Sequence, residues 1–168
     1  MGKLIRRILP FCGAMTVLLI LLAACGHDRQ PELPYEEYVS VQGTQIKIST
    51  DNTEVIITLN DSRAATDLVG MLPLELTLIE RNGFAKGMTL PEHLSSVEAT
   101  TREYTIGDFG YWNAGPDLAI FYDDIYEQTI VEVIPLGHAV SGAETMANEA
   151  GTVKLELVTD ESEETEDE

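Results

Sequence analysis

Between residues 42 and 159 the chain is written as short runs of alternating apolar and polar residues separated by turn residues. That period of two constrains the fold more than any other feature, because it turns one face of each run toward a core and the other toward water. Gln45-Ile46-Lys47-Ile48-Ser49 alternates, Asp51-Asn52-Thr53 is a turn cluster, and Glu54 to Leu59 resumes with β-branched residues, which predicts a hairpin. Leu74, Leu76 and Leu78 alternate with Glu75, Thr77 and Glu80, predicting a strand that ends at the Asn82-Gly83 turn signal. Further strands are predicted over Glu103–Ile106, Asp108–Asn113, Leu118–Tyr122, Thr129–Leu136 and Thr152–Val158, whereas Phe84 to Thr101 reads as loop-rich.

Two segments leave this period. Ala65, Leu68, Val69 and Leu72 fall at i, i+3, i+4 and i+7, one stripe of a helix that Asn60 or Asp61 would cap and Pro73 would stop. Ser141-Gly142-Ala143-Glu144 fits a capping box opening a second, short helix before Gly151. The expectation is a mainly β fold, a closed or nearly closed barrel of about eight strands with two short helices and no internal repeat.

The ends of the chain read differently. Lys3, Arg6 and Arg7 precede an almost wholly apolar run from Ile8 to Ala24, closing in Leu21-Leu22-Ala23-Ala24-Cys25. This looks like the cleavage site of an exported lipoprotein, with residues 1–24 as signal peptide and Cys25 as the acylated new N-terminus. Pro10 and Gly13 interrupt the run, which is near the short end for crossing about 30 Å of hydrocarbon, so a plain membrane anchor fits less well. A diacylglyceryl group supplies two chains, enough for stable attachment, and places the protein on the extracytoplasmic face of a membrane.

Residues 25–41, with Pro31, Pro34, Glu32, Glu36 and Glu37, read as a flexible tether. Residues 42–159 form the folded domain, and residues 160–168, seven of them acidic, an acidic solvated tail. Cys12 would leave with the signal and Cys25 would be consumed by lipid, so no thiol remains for a disulfide and the core must supply the stability.

Charge excludes one class of partner. The whole chain carries −19; three of its ten basic residues and none of its 29 acidic ones lie before residue 25, leaving a net −22. A surface that acidic repels nucleic acid, so the partners expected are the bilayer, through acylated Cys25, and a peptide or small-molecule ligand.

The order of signals also resembles a known family. Thr58-Leu59-Asn60-Asp61 leads into a helix followed by Leu72-Pro73-Leu74. Then come Gly107-Asp108-Phe109-Gly110-Tyr111-Trp112 and Asp117-Leu118-Ala119-Ile120-Phe121-Tyr122, and after them Ile134-Pro135-Leu136-Gly137-His138 and Ser141-Gly142. Together these resemble the small bacterial cyclophilin-like domain family over roughly Thr44 to Val158. The resemblance implies a reduced cyclophilin barrel capped by two helices; it does not deliver an activity.

Cyclophilins rotate prolyl peptide bonds by gripping proline in an apolar, aromatic pocket while an arginine on a strand beside a Phe hydrogen-bonds near the prolyl nitrogen. The Phe-His-Arg segment that carries this is absent here. Arg29 falls in the tether, Arg63 opens the helix, Arg81 neighbours the Asn82-Gly83 turn and Arg102 precedes a strand.

Other catalytic patterns are missing too. His93 and His138 lack metal-ligand spacing, Asp123-Asp124 reads as a turn, and Ser141 lacks a nucleophile-elbow context. Nothing in the sequence calls for a metal or a cofactor.

What remains is aromatic. Tyr111, Trp112, Phe121 and Tyr122 concentrate on two neighbouring strands, and alternation puts Tyr111 and Trp112 on opposite faces. The functional expectation is a membrane-anchored binding module whose peptide or small ligand lies against Tyr111, Trp112 and Tyr122, with Arg63 leaning over the pocket. A divergent prolyl isomerase or foldase for exported proteins is the alternative, and a docking component of a cell-surface complex the third reading.

Overall fold

The structure is a computed structural model, and it describes residues 39–159. The expected signal peptide, lipidation at Cys25, most of the tether and the acidic tail lie outside the described residues. Among the described residues, no helix is long and apolar enough to cross a membrane.

Eight antiparallel strands close into a barrel: β1 (Gln45–Ser49), β2 (Glu54–Leu59), β3 (Leu74–Arg81), β4 (Ala85–Thr89), β5 (Asp108–Trp112), β6 (Asp117–Phe121), β7 (Ile134–Ala139) and β8 (Gly151–Leu157). Their order around the barrel is β1-β2-β7-β5-β6-β4-β3-β8. Closure leaves no free sheet edge, and alternation sorts side chains into inside and outside. Ile46, Ile48, Val55, Ile57, Met88, Phe109, Tyr111, Leu118, Ile120, Leu136, Val153 and Leu155 fill the interior with almost no exposure.

Helix α1 (Arg63–Met71) buries Ala64, Ala65 and Leu68 against this core. The cap is Ser62 rather than the expected Asn60 or Asp61: its hydroxyl accepts from the Ala65 N–H at 3.1 Å and donates to Asn60 Oδ1 at 2.9 Å. The expected capping box does not form. Gly142 takes the cap position in the left-handed region, at φ 81°, with no side-chain bond to the helix, and a single 3₁₀ helix, Ala143–Asn148, follows.

Three strand expectations are corrected by tertiary contacts. Glu103–Ile106 is not a strand, because Asp108 Oδ2 takes the Thr105 N–H at 2.7 Å and folds the segment into a turn. The strand expected from Thr129 begins at Ile134, and Thr129 instead pairs with Arg102 of the other loop. Within the loop-rich stretch, Ala85–Thr89 is a strand: Ala-Lys-Gly-Met-Thr has little intrinsic β preference but pairs with β3 on one side and β6 on the other.

Candidate functional site

Large side chains fill the inner face of β4, β5 and β6, and small ones occupy the middle of the outer face. Gly87, Ala119 and Gly110 stand directly opposite one another across the three strands, so the barrel wall is only backbone-deep along that row. On one side of the row lie Ala85 and Phe121; on the other lie Thr89, Asp117 and Trp112.

Two loops pass over this shallow floor, one between β4 and β5 and one between β6 and β7. They are joined by the Thr101–Val133 bridge, with backbone bonds of 2.9 Å in both directions. The Thr129 N–H donates to Arg102 O at 2.9 Å, and Arg102 Nε donates to Thr129 O at 2.7 Å. Val133 comes down onto Gly110, where a Cβ would stand 3.3 Å from the valine methyl. The joined loops therefore form an arch resting on the barrel.

On one side of the arch is a groove of about 270 Å³ whose walls include Phe84, Trp112, Phe121, Ile130 and Val131. Ile130 is 79% exposed, so its apolar surface at the rim has no cover from the barrel. Trp112 is held in place by its own turn: its ring lies so close over Gly115 that a Cβ there would be 2.7 Å away. Phe121 and Phe84 belong to an aromatic group whose ring centroids are 5.6 Å apart, with Tyr104 4.7 Å from Phe121 and Tyr126 edge-on to Phe84 at 5.2 Å. Offset and edge-on rings at these distances add stiffness to a wall made of area alone.

One ion pair crosses the floor. Arg81 Nη2 donates to Asp117 Oδ2 at 2.6 Å, and Thr89 Oγ1 donates to Asp117 Oδ1 at 2.5 Å. The arginine can lie flat only because residue 87 is glycine; a Cβ there would sit 2.6 Å from Arg81 Nε. The arginine side chain is 40% exposed and the aspartate side chain 9%, so the positive partner is the more open of the two at the groove.

The four ligand-binding candidates from the sequence are separated by the fold. Trp112 lines the groove. Tyr111 points into the core, where its hydroxyl accepts from the Leu94 N–H at 3.2 Å and lies 3.2 Å from His93 Nδ1. Tyr122 also points inward, at a mouth of the barrel, and donates to Glu80 Oε1 at 2.8 Å. Arg63 opens α1, its backbone N–H donating to Glu98 Oε1 at 2.7 Å.

Glu80 Oε2 in turn accepts from Lys86 Nζ at 2.8 Å, and the ammonium lies 5.6 Å from the Tyr122 ring centre. Partial burial pushes the Glu80 carboxyl up, but bonds from Lys86, Tyr122 and the Gly83 N–H outweigh it and hold the group below its ordinary range. Burial, then the bond to Glu80, pushes the Tyr122 phenol up to about 12.

Gly87 and Ala119 were missed as site residues, and Arg81, an arginine open to the isomerase reading, was left out of the ligand-binding set. Parity was the available signal: with Leu74, Leu76 and Leu78 inward, Glu80 is inward and Arg81 outward. Among the described residues no group of three or more His, Cys, Asp or Glu side chains is arranged to hold a metal ion.

Comparison with known proteins places the architecture. A model described as the cyclophilin-like family matches residues 48–158. A solution structure of the hypothetical protein AF2241 from Archaeoglobus fulgidus superposes with a TM-score of 0.60 at 16% identity, covering 73% of this chain and 99% of that one. A structure of McbB in complex with tryptophan superposes with a TM-score of 0.52 at 14% identity, covering 73% of this chain and 47% of that one. No curated protein sequence matches the chain.

Proposed function

Because this chain belongs to the cyclophilin-like family, we propose that it is a lipid-anchored binding module that takes an apolar side chain of a peptide, or a small apolar molecule, into the groove beneath its arch. One observation carries the reading: a groove with aromatic and aliphatic walls, a floor of glycine and alanine, and a single guanidinium fixed across it. Ligand sites commonly combine apolar walls with a few fixed polar groups in this way. Of the sequence candidates, Trp112 supplies one wall; Tyr111 and Tyr122 serve from the inner face by stiffening the strands behind it. Anchoring at Cys25 belongs to the same proposal and is supported by the Leu21-to-Cys25 sequence.

The isomerase reading has one observation in its favour. Arg81 is presented from a strand beside Phe84 and Phe121, the kind of arrangement a cyclophilin uses, although Asp117 already occupies its guanidinium. The two readings part over turnover.

Trp112 is the only tryptophan in the chain, so its emission reports the groove without interference. Titrating the full chain in detergent with acetylated tetrapeptides containing a central proline is expected to give a saturable change in that emission, and Ala119→Leu, which fills the floor, to abolish it. A flat titration would sink the binding reading. Exchange NMR on the same peptides separates the two: accelerated cis–trans exchange that disappears in Arg81→Ala would make the protein an isomerase, and unaltered exchange in the presence of binding leaves it a binding module.

A further inference from the structure

The arch has a second side. Across Val133 from the apolar groove lies a cleft of about 530 Å³ running over the outer face of β5 and β7, between Tyr104, Asp108, Gly110 and Pro135. The two spaces share Phe121 and Val133 as a common wall, so they are neighbouring compartments of one surface.

Their electrostatics differ. In the apolar groove the one cation and the one carboxylate, Arg81 and Asp117, cancel in a direct ion pair. The cleft is lined by two carboxylates, Glu103 and Asp108, and by no lysine or arginine. Asp108 is engaged: Oδ2 accepts from the Thr105 N–H and hydroxyl, at 2.7 and 3.2 Å, and Oδ1 faces His138 Nδ1 at 2.9 Å. The Glu103 carboxylate is exposed and makes no hydrogen bond or ion pair with any described residue. Arg102, its neighbour in sequence, points its Nε at Thr129 O in the arch. A chain of net charge −19 adds a broad field favouring cations at the same place.

We propose that the two compartments are read together by one extended peptide, an apolar side chain entering the groove and a lysine or arginine one to three residues away meeting Glu103 in the cleft. The inference rests on the binding reading above and names its ligand class: apolar–basic peptide segments. The shared wall sets the short spacing, since successive side chains of an extended peptide rise about 3.3 Å apart. The apolar groove supplies most of the affinity and the carboxylate the selection, because an exposed ion pair contributes little by itself.

The test uses the emission of Trp112 in the full chain and three peptide sets identical except at one position, holding Lys, Gln or Glu at one, two or three residues on either side of a leucine. For at least one spacing, the lysine peptide should bind about threefold more tightly than its glutamine counterpart, and the glutamate peptide more weakly than both. Glu103→Gln should remove most of that preference. Glu75→Gln should leave it intact, since it changes net charge equally from an exposed position on β3, three places round the barrel from β5. Equal affinity for all three sets, or a lysine preference that falls alike in both variants, overturns the inference while leaving the groove as a binding site. An unchanged emission with every peptide overturns the groove itself.

Discussion

Glu80 and Arg81 are consecutive residues of β3, yet their ion pairs do opposite things. Glu80 turns inward and meets Lys86, whose side chain is only 7% exposed, and with Tyr122 the pair closes a mouth of the barrel. Arg81 turns outward and lies over Gly87 to reach Asp117, leaving a guanidinium on the floor of an open groove. In the first pair the buried partner is the cation, and its exposed carboxylate keeps contact with water. In the second the buried partner is the anion. Breaking either pair should therefore cost most when the exposed partner is removed, because the buried charge is then stranded.

The largest effect is expected from Glu80→Leu, which leaves the Lys86 ammonium without its anion. Urea unfolding should show a loss of about 3 kcal/mol. Lys86→Met, which leaves a carboxylate that is 48% exposed and free to hydrate, should cost clearly less. Equal losses would mean that the plug is solvated and the contrast with the groove is false.

Asp117→Ala tests the other pair from its buried side. Arg81 can rehydrate, so the loss should be about 1–2 kcal/mol, mostly from the bonds to Arg81 and Thr89. The same variant frees the guanidinium to move over the floor, and the emission of Trp112 should shift with no ligand present. Stability lost with emission unaltered would detach the ion pair from the groove.

The two regions are also separated by pH. Tyr122 has its phenol raised from 10.0 to about 12, so its folded-state contribution is complete below about pH 10 and is lost as pH rises toward 12. Unfolding free energies between pH 9 and pH 12 should fall more steeply for the wild type than for Tyr122→Phe. Parallel curves would show that the phenol does not join the plug.

The barrel was largely legible because alternation fixes which residues share a face, and β-branched runs with turn signals mark β1, β2, β3 and β8 directly. The helix stripe of Ala65, Leu68 and Val69 was equally plain. The β4 strand was not, since Ala-Lys-Gly-Met-Thr becomes a strand only when two neighbours supply its ladder. The candidate site was less legible still. Alternation put Tyr111 and Trp112 on opposite faces without deciding which of them faced outward, whereas Gly87, Ala119 and Gly110 contribute by having little or no side chain, and no local pattern distinguishes that from a weak strand.

The inside of this protein can be read from neighbouring residues: the alternating faces, the stripe of α1 and the Asn82-Gly83 turn, like the acidic charge, follow from period, propensity and composition. The outside depends on contacts between distant strands and loops. Strand order set Gly87, Ala119 and Gly110 in one row, laid Arg81 across it onto Asp117, and brought Arg102 and Thr129, distant in sequence, together as an arch. The difference is one of range. Burial against solvent is written into neighbouring residues, but register between strands is set by closure of the whole barrel.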